Sequence, residues 1–312
     1  MILSASRRTD IPCFYSDWFY NRIKEGFVYV RNPVNTHQIS RISLSPEVVD
    51  CIVFWTKNPE NMLARLEELA VYRYYFQFTL TGYGPDIEPN VPHKKERMIP
   101  VFRELSQQTG AGRVIWRYDP ILFTDRYTPE YHLQAFTQIA QALRGYTNRC
   151  VISFVDSYAG SRNRMSEIVL SEKSIADLSV FLAEMAAVAA DNGMTLSTCA
   201  EKADLEQFGI RHNSCIDREI IEQILGCRIK ISKDRNQRKE CGCMESIDIG
   251  TYNTCRNGCL YCYANYSDAE VRSNGMCYDP DGPILCGKAG PQDRISDREV
   301  HSCRINQLSL FD

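Results

Sequence analysis

Cys255, Cys259 and Cys262 stand in the run Cys255-Arg-Asn-Gly-Cys259-Leu-Tyr-Cys262. Thiolates are soft ligands that select iron–sulfur clusters, zinc or copper(I) over oxygen-seeking ions, so three on one loop can wrap a small inorganic centre. A cubane cluster has one iron more than this loop has thiols, which leaves that iron open to a substrate or cofactor. A closed zinc site would show a fourth Cys or His close by, and none follows within the next dozen residues. The same spacing also fits one face of a helix, and free cysteine packs well in cores. Asn253, Asn257 and Gly258 argue for a loop instead. The expectation is a metal site, iron–sulfur ahead of zinc.

A second group of thiols precedes it. Residues 199 to 243 contain Cys199, Cys215, Cys227, Cys241 and Cys243, the last two a tight Cys-Gly-Cys pair. Cys199 at a strand end, Cys215 ahead of a helix, and the Cys241/Cys243 pair could together hold an auxiliary cluster with every iron ligated. On the plainer reading, Cys199 and Cys215 are small core residues. Cys13, Cys51, Cys150 and Cys227 read as structural.

Elements that alternate in a βαβ rhythm must position these groups. Apolar β-rich runs at 2–5, 51–55, 74–80, 113–118, 150–155 and 194–199 predict six main strands. Helical patterns lie at 17–25 (stopped by Gly26), 60–70, 94–107, 129–143, 172–192 and 216–225, and further strand-forming pieces at 28–30 and 39–44. In such folds the loops after the strands form the active face. The polar strand ends are then candidates: Arg7, Arg8 and Asp10; Thr56 and Lys57; Gln77 and Thr79; Arg117 and Asp119; Ser153 and Asp156; Cys199 and Glu201. Each alone reads equally well as a cap or a solvated end; together they would build one polar mouth.

The chain of 312 residues carries a formal charge of −3, which makes it a poor nucleic-acid binder by bulk electrostatics. No apolar run suits a signal peptide or a membrane span, so a cytoplasmic protein is expected. Its 14 cysteines then point to metal or catalysis more than to disulfides. Arg228, Lys230, Lys233, Arg235, Arg238 and Lys239 form a basic run. Such a run is usually a solvated face, and otherwise a docking edge for an anionic substrate or an acidic electron donor such as flavodoxin or ferredoxin. The turn-rich segment around Cys277, Tyr278 and Cys286 is expected to cover the site.

Cys-x3-Cys-x2-Cys with an aromatic before the last Cys resembles the signature of radical S-adenosylmethionine (radical SAM) enzymes. That resemblance implies a 4Fe-4S cluster on Cys255, Cys259 and Cys262, S-adenosylmethionine on the open iron, and Tyr261 beside the adenine. Radical SAM proteins usually carry the motif near the start of a barrel, whereas this chain carries it near the end. That placement is similar to an uncharacterised bacterial family of unknown function. The matching phrases are Ser-Arg-Arg-Thr-Asp-Ile-Pro (6–12), Phe-Trp-Thr-Lys-Asn-Pro (54–59), Trp-Arg-Tyr-Asp-Pro-Ile (116–121) and Asp-Ile-Gly-Thr-Tyr-Asn-Thr-Cys (248–255). More distantly, Thr56-Lys57, Glu88-Pro89 and Asp119-Pro120-Ile121 resemble the middle strands of spore-photoproduct-lyase-type radical SAM barrels. That likeness implies that Lys57 contacts the S-adenosylmethionine carboxylate or ribose, with Arg117 and Ser153 sharing the work. The Gly-Gly-Glu element that binds the S-adenosylmethionine amine in many relatives is not visible.

The expected fold is α/β, a partial (β/α)6-type barrel over 1–198, with the cluster loop permuted into a Cys-rich closing region, 199–312, packed on it. The expected function is reductive cleavage of S-adenosylmethionine and hydrogen abstraction from a substrate the sequence does not identify. Two other readings stay open. One is a non-enzymatic iron–sulfur electron-transfer or sensing protein, its fourth iron capped by Cys277, Cys286 or Cys243. The other is a zinc-binding nucleic-acid module.

Overall fold

The computed structural model describes residues 1–155, 162–166 and 168–305. The chain opens with β1 (Ile2–Ala5), α1 (Ile11–Phe14), α2 (Ser16–Glu25), β2 (Phe27–Arg31) and β3 (Gln38–Ser43). It continues through β4 (Cys51–Thr56), α3 (Glu60–Leu63), β5 (Tyr74–Thr79), α4 (Ile99–Thr109), β6 (Val114–Ile121) and α5 (Pro129–Leu143). Then follow β7 (Arg149–Phe154), α6 (Arg162–Met165), α7 (Ser179–Asp191), β8 (Thr195–Cys199), β9 (Arg211–Asn213) and α8 (Arg218–Leu225). The last are β10 (Ile247–Asp248), α9 (Asp268–Met276) and β11 (Arg294–Asp297).

The main sheet has 8 strands, all parallel, in the order β10-β1-β4-β5-β6-β7-β8-β9. The six strands expected from sequence lie side by side in chain order. The two additions, β10 and β9, come from beyond residue 199 and form the edges; each is too short for a periodicity to show. A 3-stranded sheet, β11-β3-β2, takes up the strand-forming pieces near the N-terminus.

Strands such as β4 read as continuous apolar runs because a parallel sheet is covered on both faces. Leu3, Phe54, Phe76, Trp116, Ile152 and Leu196 belong to the large core shared with the helices. Their neighbours Ile2, Val53, Tyr75, Ile115 and Val151 point the other way. There they meet Ile220 and Ile221 of α8, with Cys215, Cys241 and Cys243. The second thiol group is thus buried against the sheet face opposite the main helices.

Helix boundaries differ from expectation where side chains or proline compete with the backbone. The helix expected over 172–192 starts at Ser179, because Ser174 and Asp177 bond each other's backbone N–H groups in a turn. The one expected over 94–107 divides into a π turn, Lys94–Met98, and α4, in whose first turn Pro100 has no N–H to give. The one expected over 60–70 becomes α3 and a 3-10 turn, Leu66–Leu69. At α8 the Asp217 side chain caps Ile220 N at 2.9 Å and moves the start to Arg218. Among the described residues no helix is long and apolar enough to cross a membrane.

Candidate metal and cofactor site

The carboxyl ends of the strands open onto a cavity of about 390 Å3, a size usual for small-molecule sites. It is lined by Arg7, Arg8 and Asp10 after β1, Thr56 and Lys57 at the end of β4, and Thr79 at the end of β5. Arg117 and Asp119 of β6, Ser153 of β7 and Cys199 of β8 continue the wall. Two candidates do not line it. Gln77 is fully buried and donates to Cys215 O at 2.9 Å, and Glu201 accepts Phe154 N at 2.8 Å. Asp156 lies outside the described residues. The Ala5–Ser6 and Asp119–Pro120 peptides at this end of the sheet are cis.

Cys255, Cys259 and Cys262 all line the cavity. The segment that carries them is a loop, as Asn253 and Gly258 suggested: both take positive φ, +55° and +72°. For Gly258 this is a conformation that glycine alone adopts freely. Asn257 donates to Asp10, whose carboxylate also accepts Lys57 N at 2.7 Å and Cys13 N at 3.1 Å. One buried acid thereby ties the cysteine loop to the ends of β1 and β4. Asp248 makes a second tie: it accepts from Ser4, Ser6, Arg7 N and Gly250 N. The phrases at 6–12 and 248–255, far apart in the chain, are therefore neighbours. Burial raises the pKa values of Cys255 and Cys259; the neighbouring Cys262 and Cys259 thiols add to the rise at Cys255, and Lys57 opposes the rise at Cys259.

The cation at the end of β4 is not free. Lys57 Nζ lies 2.7 Å from Glu88, a carboxylate with no exposed side-chain surface, which also accepts from Lys94, Tyr261 Oη and, at 2.8 Å, Thr81. Burial would raise the Glu88 pKa, but the two lysines overcome it and hold the group at about 2. Tyr261 lines the cavity with its hydroxyl anchored on Glu88 and Lys57 Nζ 5.5 Å from its ring centroid. In the sequence Glu88 stands out only within a Glu-Pro phrase, and Lys94 does not stand out at all. Neither is visible as a site residue from chain position, because the hub forms only when β4, the loop after β5 and the cysteine loop meet.

Cys199, Cys215, Cys241 and Cys243 line the same cavity. Cys199 Sγ lies 2.9 Å from Cys215 Sγ, and the Cys243 thiol interacts with both Cys215 and Cys241. Interaction with Cys243 lowers the Cys241 pKa to about 7. Arg117 reaches Cys215 Sγ at 2.8 Å and pairs with Asp119, which Ser153 also contacts at 2.8 Å. Arg117 and Ser153, like Lys57, thus sit on the cavity wall with protein partners. Among the described residues no three His, Cys, Asp or Glu side chains stand around one point as a ready-made single-ion site. The two thiol groups converge on a cavity rather than on an ion.

The donors present nonetheless fit a soft, polynuclear group. A cluster spreads its thiolates farther apart than one ion does, and three thiols face open volume beside a buried cation. Thr9 Oγ1 and Asn265 Oδ1, on residues of the same lining, are buried with no hydrogen-bond partner among the described residues. Such orphans are uncommon and point to a ligand that would bond them.

Cys277 and Cys286 are not part of the lining. Their segment pairs Tyr278 with Cys286 and packs on α2, with Tyr278 against Tyr15 and the Trp18 indole donating to Gly282 O at 2.9 Å. It covers a helix rather than the cavity, because Trp18 and Asn21 supply donors for its turn carbonyls. The basic run is exposed, and Arg238 within it reaches the cavity rim.

No curated protein and no solved structure matches the chain. A family model does, over residues 2–264, a span that takes in the sheet, both cavity-lining thiol groups and the Tyr261 anchor. The chain belongs to the family described as Domain of unknown function (DUF1848).

Proposed function

We propose that this protein is a radical SAM enzyme, built as a partial (β/α)6-type barrel whose cluster loop has moved to the C-terminal side of the chain. The observation that carries this reading is the convergence of Cys255, Cys259 and Cys262 on one cavity at the carboxyl ends of parallel strands. Cys255, Cys259 and Cys262 would hold a 4Fe-4S cluster there, which with S-adenosylmethionine bound would supply one-electron reductive cleavage of the sulfonium, the chemistry that begins hydrogen abstraction from a substrate.

The chain's own residues bind, orient and shield. Tyr261, fixed through its hydroxyl on Glu88, would position adenine. Lys57 keeps one ammonium hydrogen on Glu88 and has others for a carboxylate or ribose oxygen. Arg117 and Ser153 set the polar floor through Asp119, and Thr9 and Asn265 offer the unpartnered oxygens. Trp55, Phe154, Val155 and Ala264 supply apolar wall that excludes water from a reactive intermediate. The electron comes from an acidic donor protein of the flavodoxin or ferredoxin class, which docks on the exposed basic run.

The test is to reduce the anaerobic, cluster-loaded protein in the presence of S-adenosylmethionine and to assay methionine and 5'-deoxyadenosine. Both products are expected, and neither from Cys255→Ala. Their absence from a wild-type sample that carries about four irons per chain more than its Cys255→Ala/Cys259→Ala/Cys262→Ala variant would overturn the reading.

A further inference from the structure

We propose that Cys199, Cys215, Cys241 and Cys243 are the ligands of a second metal centre, a soft metal held by four thiolates, which staples residues 215–243 into the mouth of the sheet. This inference stands apart from S-adenosylmethionine chemistry at the other thiol loop. The four cysteines come from three separate stretches of chain, yet all four line the cavity, Cys199 Sγ lies 2.9 Å from Cys215 Sγ, and the Cys243 thiol interacts with both Cys215 and Cys241. Protonated thiols bond one another, as here; deprotonated on a metal they repel and spread, so the thiol form need not show a formed ion site.

The surroundings are built for the sulfurs. The Cys215 carbonyl is fixed by two buried donors from inside the sheet, Tyr75 Oη at 2.6 Å and Gln77 Nε2 at 2.9 Å. The Cys243 sulfur accepts Ile216 N at 3.4 Å, and Met244 N donates to Ile216 O at 3.0 Å, so the two cysteine loops are laced together. Hydrogen bonds to ligating sulfur and charge near it are what tune thiolate centres. A tetrathiolate zinc and a 4Fe-4S cluster with four thiolates are both dianionic. The guanidinium of Arg117 lies 2.8 Å from Cys215 Sγ, and that of Arg7 is close enough to interact electrostatically with Cys243 and Cys215. These arginines, which also pair with Asp119 and Asp234, place positive charge beside the sulfurs. With all four thiols used, no position is left open, which makes this a fixing or electron-carrying centre and not a second S-adenosylmethionine site.

The experiment compares full-length wild type with two variants: Cys255→Ala/Cys259→Ala/Cys262→Ala, and Cys241→Ser/Cys243→Ser. Each is prepared anaerobically with iron and sulfide, and separately with zinc. The triple variant is expected to retain one centre, about four irons and four sulfides per chain or one zinc, whichever is native. The double variant is expected to lose that centre, keep the iron of the other loop, and lose hydrogen-exchange protection in 215–243. Metal content equal in wild type and double variant would overturn the proposal, as would a Cys199–Cys215 disulfide in a metal-free, folded wild type. If the triple variant fails to fold, the double variant decides alone. A triple variant without metal beside a wild type with one cluster overturns the second centre and leaves the first; the converse pattern removes the first and leaves the second.

Discussion

Glu88 is the side chain on which the rest of the first site leans. Its carboxylate is the acceptor shared by Lys57, Lys94, Thr81 and Tyr261, so neutralising it takes from two partly buried ammonium groups the counter-ion they directly contact. Glu88→Gln is expected to lower stability by about 3–5 kcal/mol, and Tyr261→Phe, which removes one hydrogen bond, by only about 1 kcal/mol; urea unfolding at neutral pH measures both. The acid dependence has a definite sign. The folded Glu88 pKa lies near 2, against an ordinary 4.5. Its stabilisation is therefore complete above about pH 4.5 and lost as pH falls towards about 2. The difference in stability between wild type and Glu88→Gln should shrink over that window. A constant difference would show that the carboxylate charge contributes nothing. The sequence made Lys57 and Tyr261 visible through their place next to a strand end and a cysteine, but it could not reveal that both are held by one distant acid.

At the scale of elements, the cysteine loop depends on how closely the chain after β10 approaches the end of β1. A Cβ on Gly250 would lie 2.6 Å from Ser6 Cβ and 3.2 Å from Thr9 Cγ2. Gly250→Ala must push the two stretches apart, at a cost of about 1–3 kcal/mol. It is also expected to lower iron retention, because Asp248 and Gly250 sit at the root of the loop. Gly275→Ala is the control: nothing lies within 4 Å of its Cβ inside α9, so about 0.5–1 kcal/mol of stabilisation is expected. Thermal melts and iron assays on both variants check this. The long strands and α5 were legible because β-branched runs and helical periodicity extend over enough residues to signal. The edge strands β9 and β10, of three and two residues, carry no such signal, and neither do the turns that side chains such as Ser174 impose. The three-thiol loop was legible as a motif; that the Cys199 group shares its cavity was not, since that follows from the path of the chain across the sheet.

For the whole molecule, the region beyond residue 199 completes the sheet at both edges and contributes one wall of the cavity. Asp50, at the foot of β4, fastens the last described stretch by accepting Ser302 Oγ and Cys303 N at 2.6 Å and Arg304 Nε at 3.1 Å. Asp50→Asn is expected to cost about 2 kcal/mol, as charge-assisted hydrogen bonds do, and to raise hydrogen exchange at 302–304 without altering metal content. A change in iron per chain would mean that this fastening and the cavity are coupled. A cluster on the loop of Cys255, Cys259 and Cys262 would leave one iron open to S-adenosylmethionine. The most direct measurement is the EPR spectrum of the reduced, iron-loaded protein with and without S-adenosylmethionine. A change in the cluster signal on addition, lost in the Cys255→Ala/Cys259→Ala/Cys262→Ala variant, is the predicted result; superimposable spectra, or a colourless protein that binds zinc in place of iron, would contradict it.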